Sequence, residues 1–532
     1  MSDHLSTTTH IPSTEEFGQR VPSCKPPSCL PLFRSLTREF IDPASNRSHS
    51  PIHTLNNDAL LNIFYLYRLD VLDEYDEEGY LNFDWGSQRW WYKLAHVCRW
   101  WRYLIFASPS RLDLHLLCTH GVPIVDMLVH SPPLPLTINY WDERETTKED
   151  EEGILLALRH SDRVHYIGLD LPTPVLRKII TTMDEQFPIL ERLYIWSWTG
   201  DSSLVLPRTF QAPNLRQFSL FHAALSIVSP LLTTAVGLVT LALNEVPPSA
   251  YFPPIYLLTR LSLMPQLERL SINFHSPLPN RDVERQLLNT PITMHITLPN
   301  LRCLAFRGVS AYLEGLLAPI IAPVLCILRI DLFSQLTFTV PRLLQFIDDT
   351  SATISFNTLQ LYLDNDSVLL AAPRGGHRLY PFMVRVMCRH LDWQVSSAAQ
   401  ILTSLQPLLS AVERLTLSHQ EHSQSSEWHN EVDRTQWRQL LRPFSNLNTL
   451  RVQDELVERV AHSLQTDDVE QPLEILPDLK ELVYSGGDDA RDAFNPFIEE
   501  RYVAGRTVNL TMVDNSELAS AASDSEGDSE EI

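Results

Sequence analysis

The sequence predicts an α/β fold in which a long array of strand-containing units follows two short N-terminal helices. Two observations predict the array: one apolar pattern recurs from about residue 160 to 484, and its copies are separated by intervals long enough for a strand and a helix or loop. A third observation, two amphipathic segments near residues 60 and 98, predicts the helices.

The first predicted helix lies at about residues 55–67. It follows Asn56, Asn57 and Asp58, which are residue types that commonly cap the N-termini of helices. Its apolar residues are separated by mixed steps of three and four, as on one face of a helix: Leu55, Leu60, Ile63, Phe64 and Leu66.

The second predicted helix lies at about residues 90–106. Arg99 and Arg102 fall outside its apolar stripe, and Pro109 is a plausible stop because proline disfavours the helical conformation of the residue before it. The stripe recurs at steps of four, three, four and three: Trp90, Leu94, Val97, Trp101 and Leu104. Two such short helices cannot bury their apolar faces alone.

Together the two segments, IHTLNNDALLNIFYLY and LAHVCRWWRYLIF, resemble the two halves of an F-box. Asn56 and Asp58 stand where the family usually has proline and glutamate. The segment 108–140 also resembles the one that follows the F-box in many large fungal F-box proteins, and we expect a strand, a helix and a strand there. The resemblance implies docking on a Skp-type adaptor through Leu55, Asn56, Leu60, Ile63, Phe64, Val97, Cys98 and Trp101.

The array is built on a unit with a proline or serine, an apolar residue, two variable residues, an apolar residue, one variable residue and a further apolar residue. The last two apolar residues stand two apart, as on one face of a strand. Its clear copies begin at Pro188, Pro213, Pro265, Pro299, Pro323, Ser445 and Pro477, and weaker copies begin at Ser161, Val236, Phe356 and Ser410.

The copies are spaced as in leucine-rich repeats. From Val164 to Leu325 the first apolar residues are 26, 25, 23, 29, 34 and 24 residues apart. Three buried apolar side chains stabilise one unit by roughly 5 to 9 kcal/mol, whereas ordering about 25 residues costs on the order of 30 kcal/mol, so the units must stack. The array resembles a degenerate leucine-rich-repeat solenoid, with parallel strands on its concave side and helices or loops outside.

Four regions follow from these features. Residues 1–50 are rich in Pro, Ser and Thr and are expected to be disordered, as is the acidic tail 511–532. The F-box-like module spans 51–116 and carries an acidic, aromatic-containing insert at 68–89, which reads as a loop. The solenoid spans 117–510. Residues 146–153 are expected to form another acidic loop, and its Thr and Glu spacing suits the start of a helix that runs through 154–159.

Amino-acid composition argues against nucleic-acid binding, membrane binding and secretion. Of the 532 residues, 65 are acidic and 42 basic, so the formal charge of −23 disfavours nucleic acid and anionic membranes as partners. Seven scattered cysteines indicate a reducing compartment, and the N-terminus lacks the apolar stretch of a signal peptide, so we expect a cytoplasmic or nuclear protein.

Catalytic and cofactor motifs are weak. No phosphate loop, HExxH or GxSxG motif occurs, and we expect no enzyme activity and no cofactor. Cys24 and Cys29 lack a second ligand pair, and His419, His422 and His429 lie in a polar stretch, so we expect no bound metal.

The resemblance implies a substrate-recognition subunit of an SCF-type ubiquitin ligase, tied through the adaptor to a cullin and a RING subunit, with the repeat domain binding a target protein. Two alternatives stay open. One is a ubiquitin-independent repeat scaffold whose N-terminal helices only cap the solenoid. The other is an enzyme with dispersed catalytic residues. The sequence does not name the target.

Overall fold

A computed structural model of the protein describes residues 55–72, 90–141, 146–198, 204–225, 229–277, 295–350, 356–373, 380–420, 434–465, 475–486 and 488–513. The chain divides into two compact units, one containing described residues 55–72 and 90–112, and a second containing those from Asp113 onward. Several predictions lie outside the described residues: the N-terminal segment 1–50, most of the insert, the tail beyond 513, and Cys24, Cys29, His422 and His429.

The first unit is helical. Helix α1 is capped by Asn56, whose Oδ1 accepts a hydrogen bond from the Ala59 amide at 2.7 Å. Since α1 continues to Leu72, the predicted loop that begins at Arg68 is wrong over its first five residues. The helices are α1 (Asn57–Leu72), α2 (Trp90–Ala95), α3 (Arg99–Ala107) and α4 (Pro109–Leu112).

The second predicted helix is broken in two, so the expectation of one continuous helix is wrong. Cys98 has extended backbone dihedrals (φ −156°, ψ 166°), and its Sγ accepts a hydrogen bond from the Trp101 amide at 3.4 Å, which begins α3. The Nε of Arg102 donates to the carbonyl of Ala95 at 3.0 Å and satisfies the end of α2. Val97 therefore lies in a turn between two helices.

The second unit is built on a sixteen-stranded sheet among the described residues. A separate two-stranded ladder pairs β8 (Ile296–Thr297) with β10 (Ile320–Ile321). The strands of the large sheet are β1 (Leu116–Cys118), β2 (Leu136–Tyr140), β3 (Val164–Leu171), β4 (Arg192–Ser197), β5 (Gln217–Phe221), β6 (Thr240–Val246), β7 (Arg269–Phe274), β9 (Cys303–Gly308), β11 (Ile327–Phe333), β12 (Thr358–Asp364), β13 (Ser367–Ala372), β14 (Phe382–Met387), β15 (Arg414–Gln420), β16 (Thr449–Val452), β17 (Glu481–Tyr484) and β18 (Asn509–Met512).

Helices lie between many of these strands along the chain. The helix expected through 154–159 is confirmed as far as Leu158, but it begins at Lys148, so the expected loop at 146–153 is wrong from residue 148 onward. Thr147 and Asp150 form a reciprocal capping box at its start. Pro174, Pro254 and Pro341 each lie in the first turn of a helix, where the missing amide costs nothing. The helices are α5 (Ile124–His130), α6 (Lys148–Leu158), α7 (Thr173–Thr182), α8 (Leu231–Thr234), α9 (Pro254–Leu261), α10 (Ser310–Leu317), α11 (Pro341–Thr350), α12 (Leu391–Ser404), α13 (Gln406–Leu409), α14 (Arg434–Leu441), α15 (Asp454–Leu464) and α16 (Asp488–Val503).

The apolar residues of the repeated pattern stack from strand to strand. Leu193 pairs with Phe218, which pairs with Leu241, and the same buried rung continues through Leu270 and Leu304. All five side chains are buried. The predicted strands, their parallel pairing and the strand–helix–strand at 116–140 are thus confirmed. The unit has a mixed α/β fold with a large, mostly parallel sheet, consistent with a leucine-rich-repeat-like solenoid.

One hairpin interrupts the parallel order. The strand order is β11-β14-β13-β12-β15, and β13 is antiparallel to both of its neighbours. Only Asn365 and Asp366 connect β12 to β13, and so short a connection permits an antiparallel hairpin but no parallel crossover. Among the described helices, none combines the length and the apolar character that crossing a membrane requires.

Candidate functional site

Helix α1 carries both buried and exposed apolar residues. Leu60 and Phe64 are each 1% exposed and face the interior of the first unit. The Phe64 ring packs edge-on against Trp101, with ring centroids 4.8 Å apart. These residues of the predicted adaptor site therefore stabilise the unit itself.

Other apolar residues of α1 are open to solvent. Ile63 is 45% exposed and Leu66 is 61% exposed, and residues three apart share one side of a helix. Leu55, just before the helix, is 38% exposed. We call Leu55, Ile63 and Leu66 the α1 stripe. Because neighbouring exposed apolar side chains often mark interaction sites, the stripe is a candidate docking surface.

The remaining predicted site residues divide between exposed and structural positions. Val97 is 59% exposed in the turn before α3. Asn56 and Cys98 cap α1 and α3 respectively, and Trp101 is partly buried against Phe64. The side chain of Arg111 on α4 donates to Asp58 Oδ1 at 2.7 Å and to Asn62 Oδ1 at 2.8 Å. These two bonds fix α4 against the first half of α1.

In the second unit, the sheet face opposite the buried rungs carries partly exposed side chains. Along β4, Leu193 and Ile195 are buried whereas Tyr194 and Trp196 are half-buried, because successive residues of a strand point to opposite faces. The indole of Trp196 stacks on the Phe221 ring of β5 at 3.7 Å with an interplanar angle of 4°.

Further aromatic groups extend this cluster. Trp141 packs edge-on against Trp196 with centroids 5.8 Å apart, and Tyr194 lies beside Tyr166 at 5.8 Å. We call Trp141, Tyr194, Trp196 and Phe221 the aromatic face. Exposed aromatic clusters are typical of protein-binding surfaces, where Trp and Tyr contribute much of the binding free energy.

Charged residues follow on the later strands. Arg307 of β9 donates to Glu245 Oε1 at 2.6 Å, and its guanidinium lies 5.7 Å from the centroid of the Phe333 ring. Asp331 of β11 lies 3.9 Å from the Nε of Arg385 on β14. Burial raises the pKa of the Asp331 carboxyl, and Arg385 opposes this effect. The face thus changes from aromatic to charged along the sheet.

Sequence reasoning missed the aromatic face. Tyr194, Trp196 and Phe221 occupy variable positions within or next to the repeated units, whereas the pattern was recognised from the apolar positions. The register between β4 and β5 identifies the face. Trp196 pairs with Phe221 in this parallel ladder, so two aromatic residues that follow successive copies of the unit become neighbours. Comparing variable positions between successive copies therefore reveals the face.

Few known proteins are similar to this chain. No protein-family model and no curated protein matches the chain. Among solved structures, the chain is similar to the leucine-rich-repeat-containing protein LegL7 from Legionella pneumophila, with 10% sequence identity and a TM-score of 0.24, over 72% of this chain and 97% of that one.

Proposed function

We propose that the protein is a non-catalytic substrate-recognition subunit of an SCF-type ubiquitin ligase. The α1 stripe is the observation that supports this proposal most directly. The stripe exposes apolar side chains on the segment that resembles an F-box. Leu60 and Phe64 of the same helix are buried and pack it against the rest of the first unit. The stripe, with Val97, would dock on a Skp-type adaptor and through it on a cullin and a RING subunit.

The second unit would bind the target protein, as a leucine-rich-repeat-like domain. Its aromatic face offers rigid side chains that lose little conformational entropy on binding, and Arg307 and Arg385 add charged groups further along the sheet. A protein partner fits this mixture of aromatic and paired charged groups better than nucleic acid does, given the net charge of −23.

The contribution to ubiquitin transfer would be proximity. A target held on the second unit would be kept near the ubiquitin-conjugating enzyme, which raises the effective concentration of its lysines. No side chain of this protein needs to take part in the bond-forming step. This function belongs in the cytoplasm or the nucleus.

Co-purification of the full chain with a Skp-type adaptor tests the proposal. We expect a stoichiometric complex that Ile63→Asp weakens by about thirtyfold, or roughly 2 kcal/mol, because a carboxylate would enter an apolar contact. Val129→Asp is the matched control, since Val129 is a 70% exposed apolar residue on α5 of the second unit. Failure of the wild-type chain to bind any Skp-type adaptor would contradict the proposal.

A ubiquitin-independent scaffold is the second candidate. The aromatic face supports it as well as it supports the first proposal, because target binding there requires nothing of the α1 stripe. In that case proteins would be captured through the aromatic face with no adaptor present in the complex.

A further inference from the structure

Three residues from successive units of the second domain converge at one end of the sheet. His222 follows β5, Glu245 lies in β6, and His275 follows β7. Each offers one ligand atom, and these atoms all lie within 4.8 Å of one another. They are far apart in sequence, which is why no short spacing indicated them.

An irregularity in β6 produces this convergence. Leu243 pairs with Ile272, but the next pairing joins Val246 to Phe274, so β6 has one extra residue at this point. Glu245 has a φ of 52° and His222 a φ of 54°, both in the left-handed region that non-glycine residues seldom adopt. Backbone hydrogen bonds from the His222 amide to the Asn244 carbonyl at 3.2 Å and from the His275 amide to the Val246 carbonyl at 3.0 Å fix the three residues side by side.

The carboxylate of Glu245 is oriented by its two neighbours. Its Oε1 accepts from Arg307 Nη1 at 2.6 Å, while its Oε2 lies 2.8 Å from His275 Nδ1. The His222 ring lies edge-on to the His275 ring with centroids 5.9 Å apart. Arg307 thus fixes Oε1 and leaves Oε2 facing the His275 imidazole. Side chains that bind metals are commonly oriented in this way by a hydrogen bond from a residue that does not itself touch the metal.

We propose that His222, Glu245 and His275 bind a divalent transition-metal ion of the zinc class. Two imidazoles and one carboxylate are a ligand set that zinc accepts, with bonds of about 2.0–2.2 Å. In a tetrahedral site such bonds place ligand atoms about 3.4 Å apart. The ligand atoms of Glu245 and His275 lie 2.8 Å apart and all three lie within 4.8 Å of one another, which is compatible with this value after side-chain rotation.

Three protein ligands leave one coordination position for water or for a side chain of a bound partner. Because Arg307 neutralises part of the Glu245 charge, the site should bind zinc less tightly than a structural site with four protein ligands. The competing explanation is a purely ionic cluster in which Arg307 and His275 share the carboxylate and no metal binds.

Zinc titration of the full-length chain separates these explanations. The chain is first stripped with a chelator, and Zn²⁺ is then added in competition with a chromophoric chelator. We expect one zinc equivalent whose affinity falls by about 100-fold in His275→Ala and in Glu245→Gln. Glu245→Gln keeps the shape of the side chain, and unfolding of each metal-free variant is followed to verify the fold.

His130→Ala is the matched control, because His130 is an exposed histidine on α5 outside the cluster. It should keep wild-type zinc affinity. Equal zinc affinity in the wild type, His275→Ala and Glu245→Gln would overturn the proposal and favour the ionic cluster. The zinc titration does not require adaptor binding, so the outcome of the titration is independent of the proposed function.

Discussion

Phe64 and Ile63 are adjacent in sequence and about 100° apart around α1, but only Phe64 is buried, so their truncation should affect stability to very different extents. Phe64 is 1% exposed and packs against Trp101, whereas Ile63 is 45% exposed. Phe64→Ala should destabilise the first unit by about 4 kcal/mol through lost burial, a residual cavity and the lost aromatic pair. Ile63→Ala should change its stability by less than about 1 kcal/mol, since alanine favours helix formation over isoleucine.

Amide hydrogen exchange of the full-length chain measures this difference locally. About 4 kcal/mol corresponds to roughly 1,000-fold faster exchange in α1 and α3 for Phe64→Ala, or to the rate of an unfolded peptide if the unit opens completely. Ile63→Ala should change exchange by less than about fivefold. Equal acceleration by both substitutions would refute the assignment of Phe64 as buried and Ile63 as exposed.

Three further predictions concern the second unit, each measured by denaturant unfolding. Arg501 is 0% exposed and donates to the carbonyls of Ile475 and Leu476 at 2.6 Å, so Arg501→Met should cost about 3 kcal/mol; an unchanged midpoint would contradict this. Gly308→Ala should cost about 2 kcal/mol, because the new Cβ would lie 2.6 Å from the buried Phe306 ring, and wild-type stability would be the opposing result. Burial, reinforced by nearby His115, lowers the pKa of His165. The unfolded chain then binds the proton more tightly, so stability should decline as the pH falls below about 6.5, and His165→Gln should reduce that decline.

The repeated apolar pattern predicted the strands well because its two-residue period determines which side chains are buried. Leu193 and Ile195, or Phe218 and Leu220, alternate with half-buried neighbours as the pattern requires. A helix start was predicted where a local chemical signal exists, as at Asn56. Both kinds of prediction depend on residues close together in sequence.

Features that depend on contacts between distant residues were not predictable in this way. The stripe Trp90–Leu104 fits one helix by period alone, but the hydrogen bond to Cys98 Sγ begins a new helix. Likewise, the positions of Phe64 and Ile63 within one apolar pattern do not reveal which of them packs inward. The bulge that brings His222 to Glu245 depends on the pairing of β6 with its neighbours.

The central claim is that two separate surfaces serve two partners, the α1 stripe an adaptor and the aromatic face a target. The most direct test is the dissociation constant of a Skp-type adaptor for the full-length wild type, Ile63→Asp and Trp196→Asp, measured by titration calorimetry. We predict about thirtyfold weaker binding for Ile63→Asp and unchanged binding for Trp196→Asp. Equal weakening by both substitutions, or no adaptor binding by the wild type, would contradict the account.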